Sequence, residues 1–157
     1  MKQANSLKCF VCGLENPAGL HLHFYETAPG EVTAEYTVGE RHQGYPGIVH
    51  GGIVAAMLDE VTGRAHMGTS SNPRFMFTAR LDVRYRKPVP VGKPLKLVGK
   101  AGNGKKRMAT AKGFLYGPEG DLLAEAEAIL INVPESMVNQ TDLESLGWKV
   151  YPEGEGK

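Results

Sequence analysis

The chain has 157 residues, enough for one domain whose single core buries about two thirds of the surface that the unfolded chain exposes. Its hydrophobic fraction of 41% and charged fraction of 22% are ordinary for a globular protein, which excludes disorder of the whole chain. Eighteen basic and seventeen acidic residues leave a net charge of +1. The molecule as a whole therefore exerts no electrostatic attraction on nucleic acid, and we expect no nucleic-acid partner.

The N-terminal segment contains both cysteines, Cys9 and Cys12, in the sequence Cys-Phe-Val-Cys-Gly. Two cysteines are too few for a disulfide framework, so the fold must depend on a hydrophobic core. The segment has neither the charged start nor the apolar run of a secretory signal, and the sequence contains no stretch of about 18 apolar residues. We therefore expect a cytoplasmic protein without a membrane partner.

The next part of the chain predicts a hairpin, a loop and a helix in that order. Apolar and polar residues alternate in 20–24 and 32–38, which indicates the two strands of a hairpin. Residues 41–49 are rich in glycine and contain a proline, which is typical of a loop. Apolar residues then recur at helical spacing over 50–67, and Gly68 marks the end of this helix.

Four strands are predicted after the helix. Apolar and polar residues alternate along 75–86, which predicts a long, half-buried strand. Three further segments with strand character follow, separated by turn signals at 102–104 and 117–120: 95–101, 107–116 and 122–133. In the last three strands one set of alternate positions is small, as the alanines and glycine of 109–113 and 124–128 show, which leaves room for the helix to pack close to the sheet.

This order of elements predicts an α+β domain in which a curved antiparallel sheet of about five to six strands wraps one long central helix. The domain should cover residues 1–133, with 1–19 as an N-terminal lead-in. Residues 134–157 are expected to form a C-terminal extension with one capped turn at 141–146 and a frayed tail at 154–157.

Two glycines, Gly51 and Gly52, follow His50 at the start of the predicted helix. Each glycine costs a helix about 1 kcal/mol relative to alanine, so a purely structural helix has little reason to contain them. They expose backbone N–H groups at the positive end of the helix dipole, where an oxygen that gains negative charge can approach closely. The pattern indicates an oxyanion hole; the alternative is that the glycines only allow a tight turn into the helix.

Asp59 lies in the middle of the predicted helix on a face of small residues. A carboxylate is costly to bury there without a partner, so it is either a hydrogen-bonded structural group or part of a site. Glu60 points about 100° away around the helix, and we expect a structural role for it.

His50 and Asp59 are separated by about 13.5 Å along the helix axis and lie about half a turn out of phase. One helix therefore cannot present Gly51 and Asp59 to the same small substrate, whereas two copies of the helix can. The sequence thus predicts a homo-oligomer in which a dimer is required for the site, and it leaves a tetramer open.

Three stretches of this sequence resemble the hotdog-fold acyl-CoA thioesterases, particularly those of the phenylacetate-degradation type. The most specific is Gly-Tyr-Pro-Gly-Ile-Val-His-Gly-Gly at 44–52, with Asp59 nine residues after the histidine. Thr-Ala-Arg-Leu-Asp-Val-Arg-Tyr-Arg-Lys-Pro at 78–88 supports it, as does Cys-Phe-Val-Cys-Gly at 9–13 with Asn-Pro-Ala-Gly-Leu at 16–20. The resemblance covers most of the chain, and it implies a hotdog fold and an acyl-CoA substrate. We expect a small or medium acyl group, while the choice among short, aromatic and long groups depends on the depth of a pocket formed by two subunits and stays open.

The resemblance also implies roles for individual residues. The backbone N–H of Gly51 would polarise the thioester carbonyl, and Asp59 of a partner subunit would act as general base or nucleophile. His50 would help to hold the loop and the carbonyl, and Thr78 would orient water or the carboxylate. Many relatives carry an asparagine six residues before the histidine, where this chain has glycine, and the neighbouring Gln43 is the candidate substitute.

Coenzyme A carries phosphates, so basic residues are expected at the mouth of the pocket. Arg84, Arg86 and Lys87 follow one another near the end of the long strand, and Lys106 lies in a second basic cluster. We expect these four side chains and Gly52 to bind substrate. The alternative is that these charges form only the solvated face of each strand.

No metal and no cofactor are expected. Thioester hydrolysis requires neither, because the coenzyme A thiolate is already a good leaving group. Cys9 and Cys12 lack a second cysteine pair or a histidine at ligand spacing, so the sequence gives little support to a complete zinc site within one chain.

Two other functions stay open beside an acyl-CoA thioesterase. The chain could bind acyl-CoA without catalysis, although a sensor usually needs an output domain and the sequence leaves no room for a DNA-binding helix-turn-helix. It could also be a hotdog dehydratase or hydratase, for which a different loop context is expected around the histidine. The His-Gly-Gly start of the helix favours the thioesterase.

Overall fold

The computed structural model describes residues 1–153 and contains six strands and two α-helices in this part of the chain. The long helix α1 spans Gly51–Met67, and the short helix α2 spans Glu135–Gln140. The strands, in chain order, are β1 (Tyr25–Ala28), β2 (Glu31–Thr37), β3 (Met76–Tyr85), β4 (Pro94–Gly104), β5 (Met108–Tyr116) and β6 (Leu122–Asn132).

All six strands form one antiparallel sheet in the order β1-β2-β4-β5-β6-β3. Helix α1 packs across one face of this sheet and contacts β4, β5 and β6. Its apolar side, including Val54, Met57, Leu58 and Val61, is buried in the main core. The predicted α+β hotdog fold with one long central helix is confirmed.

The helix lies close to the sheet because two paired positions have no side chain. Gly99 of β4 and Gly113 of β5 face each other across the ladder. A Cβ atom at Gly99 would collide with the Val61 carbonyl oxygen, and one at Gly113 would lie 3.1 Å from Cγ2 of Thr62. The prediction that small residues make room for the helix is therefore confirmed, and β4 contributes to the contact as well.

Strand β3 contains an irregularity that the alternating sequence did not predict. Thr78 pairs with Leu130 and Arg80 pairs with Ile129, so Ala79 is an extra residue in the ladder. Such a bulge reverses which side chains face each side of a sheet. Before the bulge Thr78 reaches helix α1, and after it Tyr85 does so.

The first predicted strand, 20–24, is not a strand. Its alternate side chains, from Leu20 to Phe24, are buried as expected, but its backbone bonds to the N-terminal lead-in. Leu20 N–H donates to Phe10 O at 2.9 Å, and Leu22 N–H donates to Val11 O at 2.9 Å. The hairpin therefore begins at Tyr25, where β1 pairs with β2.

Two other boundaries differ from the prediction. The glycines at 102–104 do not end a strand, because β4 continues through Gly104. The C-terminal extension contains α2 before the capped turn, which Asp142 Oδ1 stabilises by accepting from Glu144 N–H at 3.1 Å. The extension returns to the N-terminal lead-in, since Asn5 N–H donates to Lys149 O at 2.9 Å. The predicted tail at 154–157 lies outside the described residues.

Candidate functional site

Asp59 is held by a hydroxyl from the neighbouring strand. Thr78 Oγ1 donates to Asp59 Oδ1 at 2.6 Å. The bulge at Ala79 turns Thr78 toward the helix, so the contact depends on the irregular ladder of β3. The hydroxyl fixes one carboxylate oxygen and leaves Oδ2 without a protein donor among residues 1–153, available to a molecule beside the helix.

The Asp59–Thr78 pair lies on the wall of a cavity of about 210 Å³. Apolar side chains form another part of this wall: Met67, Phe75, Met76 and Trp148. Trp148 comes from the C-terminal extension and packs edge to face on Phe75 with their ring centroids 5.1 Å apart. The cavity thus combines one oriented carboxylate with an apolar lining.

The start of helix α1 has one N–H group that is already bonded and one that is not. His50 is the N-cap, and its Nδ1 accepts from Gly52 N–H at 2.9 Å. The Gly51 N–H donates to no acceptor within residues 1–153. It is therefore the donor that an incoming oxygen would meet first at the positive end of the helix dipole.

Two contacts hold this helix start in place. His50 N–H donates to His42 O at 3.0 Å across the preceding loop. Tyr85 Oη donates to Gly51 O at 2.7 Å from the far end of β3. No sequence signal identified Tyr85. In a regular strand without the bulge, Tyr85 and Thr78 would face opposite sides of the sheet, so the alternating pattern provides no reason to place both beside helix α1.

Gln43 braces the loop before the helix. Its side-chain oxygen accepts from Gly47 N–H at 3.2 Å, and Gly47 has the positive φ of 79° that glycine readily adopts. Its amide nitrogen has no acceptor among the described residues. The role that the sequence suggested for Gln43 toward substrate stays a prediction.

The two halves of the predicted site do not meet within one chain. Gly51 and Asp59 are separated by eight residues on one straight helix, which corresponds to about 12 Å along the axis. Tyr85 marks the end of β3 near Gly51, and Thr78 marks the other end near Asp59. A small reactive group can therefore contact only one of the two in a single subunit.

The basic residues that the sequence singled out also lie in two places. Arg84 and its neighbours are at the Gly51 end of β3, where Arg86 pairs with Glu125 at 3.1 Å and Lys87 pairs with Asp121 at 3.1 Å. Lys106 lies in the turn between β4 and β5, near the first residue of β3. The two pairs engage Arg86 and Lys87, which follow β3, whereas Arg84 within β3 has no acidic partner within 4 Å in the described part of the chain.

A second cluster lies beside Asp59, and the sequence did not predict it. Helix α1 turns Glu60 away from Thr78 and toward the two cysteines, so that donor atoms of Cys9, Cys12 and Glu60 lie within 4.8 Å of one another. All three side chains line the same cavity as Asp59. Spacing along the chain could not reveal the cluster, because more than 45 residues separate Glu60 from the cysteines.

Arg64 supports this cluster from inside the core. Its side chain is only 1% exposed, its Nε donates to Glu60 Oε1 at 2.9 Å, and its Nη1 donates to Ala4 O at 2.7 Å. The guanidinium also lies over the Phe24 ring, 4.7 Å from its centroid. Burial nevertheless raises the pKa of Glu60 above its ordinary value.

The two thiols differ in acidity. A hydrogen bond from the Cys12 side chain lowers the pKa of Cys9 to about 6, against the opposing effects of burial and the Glu60 carboxylate. The same bond and burial raise the pKa of Cys12 well above its ordinary value. Cys9 is therefore the thiolate of the pair at neutral pH, and Cys12 keeps its proton.

The sequence model of the thioesterase superfamily matches residues 46–124, about half of the chain, and the chain belongs to that superfamily. This is a family of thioester hydrolases, the enzyme class that the sequence predicted. Acyl-coenzyme A thioesterase THEM4 of Rattus norvegicus is 30% identical over 91 residues, which are 57% of this chain and 38% of that protein. The chain thus spans well under half the length of this curated relative.

Solved structures agree with this membership. The crystal structure of a thioesterase superfamily protein matches with a TM-score of 0.71 and 30% identity, covering 80% of this chain and 63% of the other. The structure of smu.793 from Streptococcus mutans, bound to acetyl CoA, matches with a TM-score of 0.65 and 17% identity, covering 71% of this chain and 88% of the other. The second likeness concerns the fold alone.

Neither of the helices in residues 1–153 has the length and apolar character that crossing a membrane would require.

The acidity of Cys9 gives a first testable prediction. With a chelator present, iodoacetamide should modify one thiol, and its rate should rise with pH to half its maximum near pH 6, because only the thiolate reacts. In Cys12→Ala the midpoint should move up toward about 8.5, the value of a free cysteine, because the hydrogen bond is lost. Peptide mass spectrometry identifies the modified residue, and equal rates at Cys9 and Cys12 would contradict the assignment.

Proposed function

We propose that the chain hydrolyses the thioester of an acyl-coenzyme A to a free acid and coenzyme A, in a site shared by two copies of the chain. The observation that carries the proposal is the Asp59–Thr78 pair on a cavity wall, together with the free N–H of Gly51 at a helix start. Membership of the thioesterase superfamily supports the reaction class.

Asp59 acts on the attacking side of the reaction. Thr78 holds Oδ1, so the other carboxylate oxygen can accept a proton from water while the water oxygen attacks the thioester carbon. Direct attack by the carboxylate would form a mixed anhydride, which water then cleaves. Both routes use the same oriented carboxylate and release the same free acid.

Gly51 of the partner copy acts on the carbonyl oxygen. That oxygen becomes an oxyanion in the tetrahedral intermediate, and an N–H group preorganised at a helix start stabilises it without rearrangement. Because His50 Nδ1 accepts from Gly52, the neutral ring carries its proton on Nε2 and can donate to the same carbonyl. The intermediate then expels the coenzyme A thiolate, which takes up the proton.

The two-copy arrangement is supported by the sheet edge as well as by the helix. Strand β3 is ten residues long and lies at the edge of the sheet, with no strand on its outer side among residues 1–153. Phe77 and Tyr85 on this strand are 44% and 52% exposed. A long strand at a sheet edge exposes unpaired backbone groups, and pairing of β3 with a second copy satisfies them and covers the two aromatic side chains.

The substrate class follows from the lining of the cavity and from the relatives. Met76 and Trp148 beside Asp59 suit an apolar acyl group of small or medium size. The Streptococcus mutans protein of similar fold binds acetyl CoA, which supports a coenzyme A thioester as the substrate of this chain. Arg84 has no acidic partner in the described part of the chain and is the first candidate for a nucleotide phosphate.

The proposal predicts a large effect of the Asp59 carboxylate on turnover. Asp59→Asn should lower kcat by about 10²- to 10⁴-fold with little change in KM, because the general base or nucleophile is lost. Release of coenzyme A thiol from short, medium, long and aromatic acyl-CoAs measures this, after subtraction of the two protein thiols. Glu35→Gln, a carboxylate-to-amide change at an exposed position of β2, away from strand β3, is the control.

Thr78 is tested in the same assay as a positioning residue. Thr78→Val keeps the shape but loses the hydroxyl, and should lower kcat by about tenfold or more, whereas Thr78→Ser should keep most of the turnover.

Full turnover in Asp59→Asn would refute the proposal. Binding of acyl-CoA without release of thiol from any substrate would favour the non-catalytic binder instead.

The Gly51 N–H can be removed without breaking the helix. Proline is tolerated at the first helical position, and His50 already has the extended backbone, φ −55° and ψ 134°, that a residue before proline adopts. Gly51→Pro should therefore lower kcat by about 10²- to 10³-fold through loss of the oxyanion donor. Gly51→Ala keeps the N–H, and its Cβ would lie 3.5 Å from Tyr85 Oη, an ordinary contact. Equal kcat values for the two variants would show that the N–H does not act.

A further inference from the structure

The lead-in segment and helix α1 bring three metal-binding side chains together in the wall of the Asp59 cavity, and the proposed reaction assigns no step to any of the three. Cys9, Cys12 and Glu60 offer two sulfur atoms and a carboxylate oxygen within 4.8 Å of one another. Zinc binds these ligand types at about 2.0–2.3 Å in a tetrahedron, so small side-chain rotations suffice to bring them around one ion. We propose that Cys9, Cys12 and Glu60 bind a zinc ion beside the Asp59 cavity.

The turn that carries the cysteines is built for a thiolate. Cys12 N–H donates to Cys9 Sγ at 3.4 Å, and Gly13 N–H donates to Cys9 O at 2.8 Å. Any Cβ at Gly13 would collide with the Cys9 carbonyl oxygen, so only glycine allows the chain to close this tightly. The turn therefore aims both sulfur atoms to one side, toward Glu60 on the helix.

Arg64 orients the Glu60 carboxylate through a direct hydrogen bond. Its Nε holds Glu60 Oε1 at 2.9 Å, which leaves Oε2 to a metal ion. Metal ligands are commonly fixed by such outer hydrogen bonds. The buried Arg64 contact with Ala4 O anchors the guanidinium itself, so Glu60 reaches the cysteines from a rigid support.

Charge also favours a divalent cation at this place. Two thiolates and a carboxylate would carry three negative charges in a largely buried cluster, and Arg64 supplies one positive charge. A zinc ion brings the sum to zero. Cys12 is 2% exposed, so the charge of a thiolate there needs a partner within the protein.

The three protein ligands leave a fourth position that faces the cavity. Cys9, Cys12 and Glu60 line this cavity together with Asp59 and Thr78. The zinc site is thus of the open kind, with water or a substrate atom as its fourth ligand. Zinc would use the Glu60 carboxylate, whereas Thr78 holds the Asp59 carboxylate, so the two sites do not share a side chain.

Metal binding is measured on the full chain without any substrate, so the result is independent of the proposed reaction. Protein purified without chelator should contain one zinc per chain by elemental analysis, and replacement by Co²⁺ should give the absorption band of thiolate-to-cobalt charge transfer. Cys9→Ser should lose the band, and Glu60→Gln should bind zinc about tenfold or more weakly in competition with a chromophoric chelator. Glu15→Gln, an exposed carboxylate of the same segment, should bind as the original chain does.

Folding of each variant is checked by thermal unfolding with and without Zn²⁺. The unaltered chain should gain stability from the ion, and Cys9→Ser should gain none while remaining folded. The proposal is overturned if the reduced chain binds no stoichiometric zinc, or if Glu60→Gln and Glu15→Gln bind equally. The proposal is also overturned if the chain is isolated with a Cys9–Cys12 disulfide and still binds no zinc after that disulfide has been reduced.

Discussion

The contact between helix α1 and the glycines of the sheet fixes the position of every functional group. Gly99 leaves space for the Val61 carbonyl, and Gly113 leaves space for Thr62 and its neighbours. A side chain at either position would push the helix outward at a cost of about 1–3 kcal/mol. The same displacement would separate Asp59 from Thr78, because that hydrogen bond spans the gap between helix and strand.

Given this fixed helix, two successive acidic residues acquire different surroundings. Asp59 points to the Thr78 hydroxyl of β3, and Glu60 points to the cysteines of the lead-in segment and to Arg64. The rotation of about 100° between neighbouring helical residues accounts for the difference. The cavity wall therefore contains the hydroxyl of Thr78 from strand β3 and the two thiols of the lead-in segment.

Much of this arrangement could be predicted from the sequence. The period of apolar residues located α1 within one residue, since Gly51–Met67 was expected as 50–67, and the small residues of β5 and β6 indicated its packing face. The bulge at Ala79 could not be predicted, because an alternating sequence is equally compatible with a regular ladder. That single extra residue decides that Thr78 and Tyr85 face the same helix.

Local pattern was also insufficient where the partner is distant in sequence. The alternation in 20–24 correctly indicated burial, but the backbone there bonds to the lead-in segment instead of a strand. Glu60 was expected to be structural, and its position next to Cys9 and Cys12 depends on how the lead-in segment folds over the helix. Such long-range neighbours arise from packing, which periodicity does not encode.

The central claim is that Gly51 of one copy and Asp59 of another form one site, and mixed dimers test it most directly. Asp59→Asn and Gly51→Pro chains with different affinity tags are coexpressed, and dimers that carry both tags are isolated. One of the two sites in each mixed dimer then has both unaltered groups, so kcat per dimer should return to about half that of the unaltered protein. A mixed dimer no more active than its two inactive parents would contradict a site shared between copies.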